Sequence, residues 1–101
     1  MITADFAILP VGTEDTECKE YVTAAVQAIK DSGLNYQLTG MGTQIEAENL
    51  KELYEAIANA QEAVFKTGIG RVYTVIKVDD RRDLKNRTLD AKIDTVNKML
   101  K

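Results

Sequence analysis

The sequence predicts an α+β fold: a four-stranded antiparallel sheet with two helices packed on one face and a further helix at the C-terminal end. Three observations carry this. The elements follow in the order β-α-β-β-α-β, with helical periodicity resuming near residue 88. The two halves share a helix-glycine-strand transition, "AIKDSGLNYQL" and "AVFKTGIGRVYTVI". The 101 residues are 45% hydrophobic and 29% charged, with no linker or low-complexity run, which suits one domain built on one core. That element order is the split β-α-β arrangement of ferredoxin-like folds.

Residues 2–11 alternate as a strand, with Ile2, Ala4, Phe6 and Ile8 on one face and Thr3, Asp5, Ala7 and Leu9 on the other. Pro10 cannot donate to a ladder, so it fits a strand end or an edge. Acidic Glu14 and Asp15 favour the start of a helix running from about 15 to 31, with Cys18, Val22, Ala25 and Ile29 inward. Ser32-Gly33 stops it. Residues 34–41 and 43–47 form the next two strands, and Gly40 and Gly42 assist the bend between them. Asn49 caps the second helix, with Glu52 placed for a capping box, and Thr67-Gly68 ends it. The β-branched run Arg71–Asp79 suits a central strand. In the last helix Leu89, Ile93, Val96 and Leu100 recur at helical spacing.

Composition narrows the function. There is no histidine, so the usual general base, the Ser-His and Cys-His pairs and imidazole metal sites are unavailable. A lone cysteine, Cys18, allows no internal disulfide and fits a reducing, cytoplasmic setting; its register makes it a small buried hydrophobe. The N-terminal residues lack the pattern of a signal peptide, and no apolar run reaches membrane-spanning length. A net charge of −3 offers no overall attraction for phosphate backbones.

With both helices on one face, the other face of the sheet is left without cover in the protomer. Alternation places on it Thr3, Asp5, Ala7 and Leu9, then Asn35, Gln37, Thr39 and Met41, then Gln44 and Glu46, and from the last strand Tyr73, Val75, Lys77 and Asp79. Apolar and hydrogen-bonding side chains are interleaved, which suits a sheet-to-sheet interface or a ligand site.

Three segments resemble the small thiamine-binding proteins, relatives of the YkoF-type thiamine and hydroxymethylpyrimidine binders. They are the opening strand into Pro10-Val11-Gly12-Thr13, the stretch Tyr36-Gln37-Leu38-Thr39-Gly40-Met41-Gly42-Thr43-Gln44-Ile45-Glu46, and the run from Arg71 to Asp83. The chain departs from the pattern at Gly40, where relatives often carry proline. The resemblance implies a ferredoxin-like protomer, a dimer made by joining sheets, a dimer of dimers, and binding of thiamine or its pyrimidine part without catalysis or any other cofactor. Strand alternation and ligand chemistry point to Asp5, Gln37, Thr39, Met41, Thr43, Glu46 and Lys77 as ligand-binding residues. Glu46 can accept from an exocyclic amine, Gln37, Thr39 and Thr43 can donate or accept, and Asp5 or Glu46 can neutralise a thiazolium. Met41 and Leu9 can supply an apolar wall. On the plainer structural reading, Glu46 pairs with Lys77 and the threonines are ordinary strand residues.

Other readings are weaker. Asp79 and Asp80 point to opposite faces, so Asp79-Asp80-Arg81-Arg82-Asp83 reads as an ion-pair cluster and not as a metal site. Arg81, Arg82, Lys85 and Arg87 offer a place for an anion or phosphate group. Gly68-Ile69-Gly70 sits between helix and strand, the reverse of a dinucleotide fingerprint. RNA recognition would need sheet aromatics within a basic motif, and here Tyr73 stands without one. An enzyme would rest on Glu46 or Asp5 with Lys77 as acid and base. A regulatory module for an amino acid or other small metabolite, or a purely structural homo-oligomer, is the alternative to a thiamine binder.

Overall fold

The strand that opens the chain becomes the middle of the sheet. In a computed structural model, which describes residues 1–12 and 18–101, the order is β1 (Ile2–Pro10), α1 (Lys19–Asp31), β2 (Tyr36–Thr39), β3 (Gly42–Ala47), α2 (Leu50–Phe65), β4 (Val72–Asp80) and α3 (Leu89–Met99). The strands lie in the order β2-β3-β1-β4 and every pairing is antiparallel, the ferredoxin-like arrangement predicted. The expected start of the first helix, near residue 15, lies outside the described residues.

The alternation in β1 sets the core. Ile2, Ala4, Phe6 and Ile8 face the helices and are buried, with Ile45 and Ala47 beside them on β3. Ala25 and Ile29 of α1 and Leu53, Ala56, Ile57, Ala60 and Val64 of α2 close the layer. Both helices end at a glycine with left-handed backbone, Gly33 at φ 80° and Gly68 at φ 100°, where a Cβ would be strained. Asn49 caps α2 by accepting from the Glu52 amide at 2.9 Å. Thr88 caps α3 in the same way, accepting from the Ala91 amide at 3.0 Å. Cys18 is only half-buried.

Two expectations are corrected. The β2–β3 turn does not depend on glycine torsion, since Gly40 has no positive φ; Thr39 steadies the turn by donating to the Gly42 carbonyl at 2.8 Å. And β4 is an edge strand. Its β-branched residues report burial pressure on two faces, yet among the described residues it pairs only with β1. Tyr73 and Val75 are therefore exposed on one face, and Ile76 and Val78 are partly exposed on the other.

Candidate functional site

The pairing registers fix what stands on the face turned away from α1 and α2. One cross-strand row reads Asp79–Thr3–Glu46 and the next reads Lys77–Asp5–Gln44–Gln37. Towards the other end of β1 the rows become apolar, with Val75 beside Ala7 and Tyr73 beside Leu9. The face is thus divided into a polar half and an apolar half.

The polar half is covered by α3, so the expectation of a face left bare within the protomer is corrected. Glu46 Oε1 accepts from the Leu89 amide at 2.7 Å, placing a carboxylate at the positive end of α3. Gln37 donates to Asp90 at 2.9 Å. One turn along, the Lys92 ammonium donates to Thr3 Oγ1 and to Asp79 Oδ2, both at 2.6 Å. Under this cover Thr3 is only 4% exposed. Of the apolar stripe predicted for this helix Leu89 is buried, while Ile93, Val96 and Leu100 stay exposed, because the contacts that hold α3 to the sheet come from its first turns. Between α3 and the sheet lies a trough of about 410 Å³ lined by Thr3, Asp5, Gln44, Lys77, Asp79, Leu89, Lys92 and Ile93. That volume lies in the usual range of small-molecule sites.

The structure separates the seven residues expected to bind ligand. Asp5 and Lys77 line the trough. Gln37 and Glu46 do not line it; they are engaged with the start of α3, in a separate depression beside Thr88 and Asp90. Glu46 therefore does not pair with Lys77, which lies 3.9 Å from Asp5 and is 79% exposed. Thr39 lies beyond the trough, beside Gly42, and Met41 is 92% exposed at the hairpin tip. Thr43 is on the opposite face, paired with Phe6 and 4% exposed. Its parity with Ile45 already placed it on that inward side. Together with Met41, Leu38, Cys18 and Val22 it lines a separate, mainly apolar cleft of about 260 Å³ between α1 and the hairpin.

Sequence reasoning missed Lys92, Leu89 and Ile93, since nothing in the spacing of α3 says on which face of the sheet it docks. Thr3, Gln44 and Asp79 were on the predicted face but were not singled out. The signal available was the parity of Asp79 with Lys77 and of Thr3 with Asp5.

Charge is concentrated beside the trough. Arg81 forms a two-pronged pair with Asp83 at 2.9 and 2.8 Å, and Arg82 pairs with Asp80 at 2.9 Å. The expected ion-pair cluster is present, and among the described residues no group of acids and Cys is placed to hold a metal ion. The Lys92 hydrogen bond holds the Asp79 carboxyl below its usual range, and Arg81 lowers that of Asp83 to about 2. A carboxylate with a depressed folded-state pKa stabilises the fold above its unfolded pKa, about 3.9 for Asp, and that contribution fades as pH falls through the depressed value. Docking of α3 is therefore expected to hold at pH 5 and above and to loosen below about pH 4. Amide exchange of α3 measured across this range checks it; unchanged protection at pH 3 would rule out a role for Asp79 in holding the helix.

The fold and site together define a small ferredoxin-like protein with a polar trough on the sheet face that its last helix covers. The chain belongs to the thiamine-binding protein family, whose model matches residues 4–97. A UPF0045 protein of Methanothermobacter thermautotrophicus is 47% identical over 99% of this chain and 100% of its own length. The UPF0045 protein YqgV of Bacillus subtilis is 46% identical over 99% of this chain and 98% of its own. A hypothetical protein from Methanocaldococcus jannascii has the same fold, with TM-score 0.84, 28% identity and 95% of each chain covered. A Thermotoga maritima protein assigned provisionally to thiamine biosynthesis or salvage superposes with TM-score 0.79 at 18% identity, over 94% of this chain and 97% of its own, a likeness of fold.

Proposed function

We propose that this protein binds thiamine, or its hydroxymethylpyrimidine part, without transforming it, as a cytoplasmic homo-oligomer. The observation that carries the reading is the family match across residues 4–97. The trough supplies chemistry suited to such a ligand. Asp5 and Asp79 stand on its floor as counter-charges for a thiazolium. Gln44 and Thr3 can donate to and accept from an aminopyrimidine edge, and Ile93 and Leu89 offer an apolar wall.

Native mass spectrometry with and without thiamine and hydroxymethylpyrimidine tests the proposal. An added thiamine-sized mass at fixed stoichiometry supports it, with Asp5→Asn weakening the binding. An assembly that takes up neither compound would overturn it.

Self-association through the sheet is part of the same reading. Among the described residues the outer edge of β4 is unpaired, and the strand exposes apolar side chains on both faces; joining two such edges would give it the central position that its composition favours. Stacking of the apolar sheet halves would bury Leu9, Tyr73 and Val75 and make a dimer of dimers. Lysines at Ile76 and Val78 are expected to leave the protomer folded and to lower the assembly by one order of association, read by light scattering. An unchanged mass would exclude the β4 edge.

A further inference from the structure

We propose that the Lys92 ammonium is a tethered competitor for the cation subsite of the trough, displaced when a cationic ligand enters. The inference rests on the binding role proposed above. Lys92 Nζ lies 2.6 Å from Thr3 Oγ1 and 2.6 Å from Asp79 Oδ2, so one primary ammonium already satisfies a hydroxyl and a carboxylate that face the trough. Thr3 is buried, and its hydroxyl has this ammonium as its partner. Among the described residues the other trough acid, Asp5, has only the long contact to exposed Lys77. A permanent cation reaching the floor therefore meets one carboxylate nearly free and one occupied by the chain itself.

The competitor is mounted on an element able to leave. Beyond Lys92 the apolar stripe of α3 is exposed, and the polar contacts of its first turn, from Glu46 and Gln37, can hold the helix start while the ammonium swings out. Exchange of one cation for another keeps Asp79 neutralised at both stages. Binding then costs less electrostatically than burying an unpaired carboxylate, but it requires the ligand to outcompete a group at high effective concentration. The threshold for binding is accordingly set by Lys92.

The test compares Lys92→Met with the unaltered chain by titration calorimetry against thiamine and neutral hydroxymethylpyrimidine. Removing the ammonium is expected to tighten thiamine binding by about threefold to tenfold, the range for one charge-assisted contact at a partly exposed site, and to change binding of the neutral pyrimidine less, through the freed Thr3 hydroxyl alone. Equal or weaker thiamine binding by the variant would overturn the inference, as would an equal gain for both compounds. A second arm does not depend on thiamine. In Lys92→Ala, added n-propylammonium is expected to restore amide protection of α3 towards the level of the unaltered chain, which itself should not respond. If neither protein binds thiamine, the functional reading fails, and this arm decides alone: rescue upholds the ammonium site and its absence overturns it.

Discussion

Replacing Ile45 with alanine is expected to destabilise the protein by about 2–5 kcal/mol, enough to lower its melting temperature by at least about 8 °C. Ile45 is fully buried on β3, between Ala4 of β1 and Tyr36 of β2, and faces the helices. The loss combines the transfer of the deleted methyl groups with the cavity they leave in a layer that is closed on all sides. Calorimetric or denaturant unfolding at one fixed protein concentration measures it, because association would add a concentration-dependent contribution. A shift below about 3 °C would mean that β3 is not the inner strand it is here.

Gly42→Val should cost about 1–3 kcal/mol and also weaken ligand binding. A Cβ at Gly42 would lie 3.0 Å from Asp5 Oδ1 and 3.1 Å from the Phe6 carbonyl. The carboxylate can swing aside but the backbone carbonyl cannot, so the central pairing of β1 and β3 is strained and Asp5 leaves its place on the trough floor. Gly40→Ala is the control, with open space around its Cβ and no positive φ, and should stay within about 0.5 kcal/mol. Unfolding and thiamine titration of the two variants separate the outcomes. Equal behaviour would remove the crowding at Gly42 as a constraint on the site.

Much of the fold was legible because its signals are local. Alternation in β1, the glycines that close α1 and α2, and the Asn49 cap each follow from a few neighbouring residues, and each appears where expected. What failed depended on distant partners. The β-branched content of β4 measures how apolar its surroundings are, not how many strands flank it, so an edge read as a centre. The docking of α3 on the far sheet face depends on Glu46, Thr3 and Asp79 meeting a helix more than forty residues from the first two. The site suffered accordingly. Asp5, Lys77, Glu46 and Gln37 were brought near one another because a shared strand parity is readable, while Thr43 went to the other face by that same parity. Met41, placed at the turn, escapes strand alternation altogether.

The central position of β1 also constrains how the chain can be made. β1 acquires its neighbour β3 once residue 47 is available, but its other neighbour only after residue 80. At usual rates of synthesis, about 5–20 residues per second, some 4–14 s pass between completion of β1 and completion of β4. Throughout that interval a nascent chain carries a strand of Ile, Phe and Leu with at least one flank bare, open to pairing with another chain on the same message. Closure of the sheet joins segments some seventy residues apart, a slow kind of closure, so this protein has good reason to need shelter during translation even though its finished form is small.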